Sequence, residues 1–174
     1  FGWENIPLAE ELGTYFTCPI HISNDANCAA LGEVKAGAAK ETKNAILLTL
    51  GTGVGGGVII DGKVFEGAHA GGAELGHTST CGRKGCVEAY VSATGLIRQA
   101  RRAAEQKKDS LMNELCGGDL SAMNGKIPFD AAEQKDEAAM AVVDDYITYL
   151  GEAIANYVNI FRPDVVLLSG GVCN

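Results

Sequence analysis

Asn44-Ala45-Ile46-Leu47-Leu48-Thr49-Leu50-Gly51-Thr52-Gly53-Val54-Gly55-Gly56-Gly57-Val58-Ile59-Ile60 decides how this chain folds. The apolar run 44–50 reads as a buried strand. Val58 to Phe65 reads as a second strand, with Asp61-Gly62 as a turn. Gly51, Gly53 and Gly56 match the spacing of a dinucleotide fingerprint, but that motif needs a helix after its glycines, and here a β-branched strand follows. A glycine-rich turn between two strands can instead lay its backbone N–H groups against phosphate oxygens. Thr49 and Thr52 add hydroxyl donors. A mere hairpin tip needs fewer glycines, so the expectation is an α/β protein with an anion-binding turn at Gly51 to Gly57.

Downstream lies Gly67-Ala68-His69-Ala70-Gly71-Gly72-Ala73-Glu74-Leu75-Gly76-His77, then Thr78-Ser79-Thr80-Cys81-Gly82-Arg83-Lys84-Gly85-Cys86-Val87-Glu88. So many glycines raise the entropy cost of folding, which no core element would carry without reason. Glu74 and Glu88 are each able to hold two hydroxyls of a polyol, although His77 and both glutamates also suit an ordinary surface loop. His77, Cys81 and Cys86 have the ligand chemistry of a structural zinc site. A closed site takes four ligands, and His69 or a water is the available fourth.

Upstream, Pro19 to Ile22 reads as a brief strand leading into Ser23-Asn24-Asp25-Ala26-Asn27 and a helix from Cys28 to Gly37. Asn and Asp there serve as helix caps. Asp25 at a strand end also suits a general base that takes a proton from a hydroxyl. Ile6 to Gly13 reads as a short helix, and Tyr90 to Ala104 as a helix capped near Ser92 or Thr94. Residues 129–161 read as two helices or one interrupted helix. In the second part, 141–161, Val142, Tyr146, Tyr149, Leu150, Ala153, Ile154, Tyr157, Ile160 and Phe161 fall near one face. Arg162-Pro163-Asp164 stops it, and Val165 to Ser169 is a last buried strand running into Gly170-Gly171.

The 174 residues allow one ordinary domain with its own core. A net charge of −8 argues against a nucleic-acid surface. Arg98 to Arg102 and Lys107-Lys108 read as a solvated helix face. No apolar run is long enough to span a bilayer. The six cysteines are scattered rather than framed for disulfides, which points to the reducing cytoplasm. Cys18 and Cys28 read as small buried side chains.

Taken in order, Asn24 to Asn27, Leu50 to Gly57, Gly71 to His77, Cys81 to Glu88 and Leu168-Ser169-Gly170-Gly171 resemble the ROK sugar kinases, specifically their bacterial glucokinase branch. The resemblance implies an actin-like ATPase (ribonuclease H-like) fold, of which residues 1–174 would be mostly the large C-terminal lobe, with a zinc and sugar loop at 67–88. It implies ATP-dependent phosphorylation of glucose at its 6-hydroxyl. By matching position, Asp25 is the expected catalytic base, and Asn24, Glu74, His77 and Glu88 hold the sugar. Gly51, Thr52 and Gly53 face the phosphates, and Gly170 and Gly171 the nucleotide. His77, Cys81 and Cys86 bind structural zinc, and Mg2+ accompanies ATP. A homodimer is expected.

Two departures accompany the resemblance. The small N-terminal lobe of the family, with its Asp-x-Gly-Gly-Thr phosphate motif, is not present in this sequence, and the first cysteine of the family's Cys-x-Cys-Gly-x-x-Gly-Cys set is missing. The expectation is therefore that residues are omitted at both ends and between His77 and Cys81. The rival functions are a ROK-type sugar-responsive transcriptional regulator and a kinase for another hexose such as fructose, N-acetylmannosamine or allose.

Overall fold

The computed structural model describes Gly2 and residues 4–79 and 82–173. A short helix α1 (Leu8–Gly13) buries none of its side chains. Helix α2 (Asp25–Ala36) leads into β1 (Ala45–Leu50), β2 (Val54–Ile60) and the two-residue β3 (Lys63–Val64). Five helices follow: α3 (Glu88–Val91), α4 (Ala93–Gln106), α5 (Leu111–Leu115), α6 (Ile127–Glu133) and α7 (Glu137–Phe161), before β4 (Val165–Ser169). The sheet order is β3-β2-β1-β4, with β1 antiparallel to β2 and parallel to β4. A parallel pair needs a crossover, and the helices α3 to α7 provide it.

Strand β1 is buried on both faces, as its near-continuous apolar sequence requires. Ile46, Leu48 and Leu50 join Val54 and Val58 in a large core completed by Leu96, Met112, Ile127, Tyr146 and Tyr157 from the crossover helices. Ala45, Leu47 and Ile59 face the other way, against Ala30 and Val34 of α2. Helix α2 therefore lies on one face of the sheet and the crossover helices on the other. The entry to β4 is tied to β1 by Asp164, whose Oδ2 accepts from the backbone N–H groups of Asn44 (2.9 Å) and Lys43 (3.2 Å).

The glycine run is where the sequence reading needs correction. Gly55, Gly56 and Gly57 belong to β2, paired with Thr49, Leu48 and Leu47, so β2 starts at Val54 rather than Val58. They are glycines because both faces of the strand are approached closely. A Cβ on Gly57 would lie 2.5 Å from the Ala26 carbonyl oxygen and 2.6 Å from the Ala30 Cβ, and one on Gly56 would lie 2.7 Å from Leu75 Cγ. The expected strand at Pro19 to Ile22 does not form: the segment finds no ladder partner among the described residues, and Ile22 is 58% exposed. Cys18 and Cys28 are exposed rather than buried. In α2 the sheet-facing line runs Ala26, Ala30, Val34, and Cys28 sits half a turn away from it. Instead of one helix from Tyr90, α3 and α4 are separated by Ser92, whose hydroxyl caps α4 by accepting from the Gly95 N–H (3.0 Å).

Helix α7 is unbroken over 25 residues and buries Ala139, Val142, Tyr146, Ala153 and Tyr157, the face its periodicity indicates. Its N-cap is Asp136, which accepts from the N–H of Ala139 (2.8 Å) and Leu111 (2.7 Å) and from the Ser110 hydroxyl (3.0 Å). Burial alone would raise this carboxyl's pKa, but the bonds it receives outweigh that and hold it below the usual carboxylate range.

A group with a depressed pKa contributes stability above its unfolded value of about 3.9, and that stability is lost as pH falls through the folded value. Asp136→Ala is expected to cost about 1–2 kcal/mol at pH 7, in the range of a lost N-cap. Denaturant unfolding should show the gap between variant and wild type narrowing below about pH 4. Gly57→Val is expected to cost about 1–3 kcal/mol by forcing α2 off the sheet. Gly32→Ala, on the open side of the same helix with nothing within 4 Å, should stabilise by about 0.5–1 kcal/mol in the same assay.

Candidate active site at the carboxyl ends of β1 and β4

The register pairs Leu50 with Val54, which leaves Gly51-Thr52-Gly53 as a three-residue connection closed by the Gly51 N–H donating to Gly53 O (3.0 Å). Its carbonyls are held by the head of α4: the Ala93 N–H donates to Gly51 O (2.8 Å) and the Thr94 hydroxyl to Thr52 O (2.8 Å). The N–H groups of Thr52 and Gly53 have no partner among the described residues. The turn expected to run over seven residues spans three, because the later glycines are spent on the strand. Beside it, β4 ends at Ser169, paired with Thr49, and Gly170 backs onto β1 so closely that a Cβ would lie 2.5 Å from Leu50 O. Gly51–Gly53 and Gly170-Gly171 therefore leave the sheet side by side at the carboxyl ends of two parallel strands, the position where open α/β sheets hold ligands.

Asn24 and Asp25 arrive at the same end of the sheet on α2. Asn24 is the N-cap, accepting from the Ala26 N–H (2.9 Å) and the Asn27 N–H (3.3 Å). Asp25 is exposed; its Oδ1 accepts from the Ala26 N–H (2.8 Å), and its Oδ2 has no partner among the described residues. The cap and the candidate base are thus separate residues, and Asn24 does the capping expected of the pair. Its neighbour Ala26 lies against Gly55 and Gly57, so the close packing of α2 on β2 is what holds Asp25 at the same end of the sheet as the Gly51–Gly53 turn.

Glu74, His77 and Glu88 come from the opposite face of the sheet. The Ser23 hydroxyl donates to Glu66 Oε1 (3.2 Å), and the Gly72 N–H closes back on Glu66 O (2.7 Å), so the segment leaves and returns next to the Asn24 turn. Within it His69, Ala70 and Ala73 have φ of 54°, 54° and 64°. Three non-glycine residues in the left-handed region so close together are strained, and such strain gathers at binding sites. Glu74 and His77 bracket a 3-10 turn, Leu75–His77, and both are exposed.

Glu88, the first residue of α3, is half-buried, and its Oε2 accepts from the Val54 N–H (3.0 Å). A Cβ on Gly53 would displace this carboxylate. One of its two oxygens is therefore committed to the protein, where the sequence expectation had both free for a ligand.

The residues between His77 and Glu88 close on themselves: Ser79 bridges to Cys86, and the Val87 N–H donates to Thr78 O (2.8 Å). This sets His77 and Cys86 at the mouth of one loop, and imidazole with thiolate is donor chemistry that suits zinc. Cys81, the third expected ligand, lies outside the described residues. Among the described residues, no three His, Cys, Asp or Glu side chains gather as a metal site.

Tyr157 was legible only as a core residue. Its hydroxyl, buried and with its pKa raised by that burial, donates to Leu75 O (2.7 Å) and lies 3.1 Å from the Thr78 hydroxyl, between the turns that carry Glu74 and His77.

Residues 1–174 match the ROK family along their whole length. A glucokinase from Halalkalibacterium halodurans is 38% identical over 180 residues, covering 98% of this chain and 54% of that protein. A xylose repressor from Caldicellulosiruptor bescii is 29% identical, covering 95% of this chain and 43% of its own length. The crystal structure of a ROK family glucokinase from Streptomyces griseus, in complex with glucose and AMPPNP, superposes with a TM-score of 0.83 at 32% identity, over 98% of this chain and 58% of that one. The chain thus spans about half the length of the curated relatives it matches. The sheet and its helices have the actin-like ATPase fold of those glucokinases. Fold, ordered motifs and whole-length match agree, and the chain belongs to the ROK family.

Proposed function

We propose that this chain is the large lobe of an ATP-dependent glucokinase that phosphorylates glucose at its 6-hydroxyl. The observation that carries the reading is the convergence at one sheet end: the Gly51–Gly53 turn, Gly170-Gly171, and Asp25 with a free carboxylate oxygen. A repressor that only senses sugar has no need of a phosphate turn beside a base. In this reading the unpartnered N–H groups of Thr52 and Gly53 meet phosphate oxygens, and Gly170 and Gly171 let the nucleotide approach the backbone. Asn24, Glu74, His77 and the free Oε1 of Glu88 hold the sugar hydroxyls.

Asp25 Oδ2 takes the proton of the 6-hydroxyl as its oxygen forms a bond to the γ-phosphorus. The bond from that phosphorus to the bridging oxygen breaks in line, and ADP leaves. Mg2+ bound with ATP supplies charge neutralisation at the phosphates. The carboxylate of Asp25 lies in the first turn of α2, beside N–H groups that favour its negative charge. A homodimer belongs to the same reading and rests on the family resemblance. Among the described residues no helix is long and apolar enough to cross a membrane.

Structural zinc is the finer part of the proposal, with His77, Cys81 and Cys86 as ligands that tie the loop. Elemental analysis of the purified protein should find about one zinc per chain if the site is closed as structural sites are. Metal-free protein that still binds sugar would remove zinc from the account.

For the chemistry, glucose-dependent ADP release should be measured beside glucose binding. Asp25→Asn is expected to lower turnover by at least about 100-fold, in the range of a lost general base, while glucose affinity stays within a few-fold. Unchanged turnover would sink the assignment of Asp25. Glucose binding with no turnover in the wild type would favour the regulator, and turnover with another hexose in place of glucose would move the substrate.

A further inference from the structure

The loop that carries Glu74, His77 and Glu88 is clamped from outside the site by α7. The Arg83 guanidinium makes a two-pronged contact with Glu152, Nε to Oε2 at 3.2 Å and Nη2 to Oε1 at 2.8 Å. The same guanidinium lies 4.2 Å from the centre of the Tyr149 ring, and Tyr149 meets Tyr90 edge-on with ring centres 5.3 Å apart. The Tyr90 hydroxyl in turn donates to Lys84 O (2.6 Å). One turn further along α7, Tyr157 holds Leu75 O and reaches Thr78. Residues 75–78 and 83–84 are thus fastened to one helix, by contacts that need nothing bound at the cysteines.

The Arg83 contact is more than an ordinary surface ion pair. Exposed pairs contribute little because water screens them and two long side chains must be ordered. Here both side chains are about two-thirds covered, with 29% and 34% of their surfaces exposed, and the guanidinium is held on one edge and one face. A planar fork stacked on an aromatic ring is geometry that lysine cannot reproduce.

We propose that Glu152 is a positioning residue for the sugar: acting through Arg83, it fixes the loop that presents Glu74, His77 and Glu88, and so sets sugar affinity without touching the ligand. This rests on the glucokinase reading, and the test separates the two. In the protein that carries this chain, Glu152→Gln should raise the KM for glucose by roughly 3- to 10-fold, the scale on which small displacements of a positioning group act, with kcat and the KM for ATP within about twofold. Arg83→Lys should show a similar defect although the charge is kept. The double change Arg83→Gln with Glu152→Gln should be no worse than either single one. A merely stabilising contact would instead lower the unfolding temperature and leave the KM ratio alone, and that result would overturn the proposal.

Amide hydrogen exchange reads the same contact without any catalysis. Residues 73–79 and 82–88 should exchange faster in Glu152→Gln, while α4 is unchanged. If the wild type neither binds nor phosphorylates glucose, the kinase reading falls, and exchange then decides the clamp: faster loop exchange supports it and unchanged exchange overturns it.

Discussion

Everything near the site depends on how closely β2 can be approached. Its first residues carry no side chain where α2 comes down on one face, at Gly57, and none where the Leu75 turn comes down on the other, at Gly56. A sheet face packed through side chains holds its neighbour about 10 Å away. Removing them lets two elements reach the strand backbone from opposite sides. Asp25 rides on the first of these elements, and Glu74 and His77 on the second, so the glycines place the candidate base and the candidate sugar residues at one end of one strand. The unfavourable entropy of three consecutive glycines is offset by that double contact.

The same fact explains what the sequence made legible and what it hid. The apolar run of β1, the Ser92 cap and the periodicity of α7 are local signals, and each appears in the structure where expected, although α7 starts four residues earlier. The role of Gly55–Gly57 was hidden because glycine is depleted in strands, so its local preference points to a turn. Only the partners across the sheet, Ala26 and Leu75, show why it is needed. Pro19 to Ile22 failed for the converse reason. Its local pattern is strand-like, yet a strand requires a ladder partner. Cys28 was misread because its apolar neighbours run all round α2, and only the line Ala26, Ala30, Val34 faces the sheet.

The site residues were readable as motifs and not as geometry. Asp25 and Asn24 are adjacent in sequence and do different jobs, one capping the helix and the other keeping an oxygen free. No spacing rule distinguishes them. Tyr157 and Glu152 lie some 80 and 70 positions from the segments they hold, within a helix whose sequence shows only an amphipathic face. Long-range polar contacts of this kind leave no periodic trace. Ala73 was part of a recognised motif and His69 lay just before it, but their left-handed backbone shows only in the structure.

Glu88 is the point where the two halves of the site are joined. Its Oε2 takes the Val54 N–H at the exit of the Gly51–Gly53 turn, while its Oε1 has no hydrogen-bond partner among the described residues. A carboxylate accepting one backbone bond is held in orientation and still has lone pairs on its second oxygen. Any hydroxyl that binds there is therefore set in a frame that includes the Gly51–Gly53 turn. In the proposed kinase reading, one side chain would touch both the sugar and the turn assigned to phosphate, which suits a site where the reacting oxygen and phosphorus must meet in line. The same bond accounts for the missing side chain at Gly53, where a Cβ would take the space the carboxylate needs.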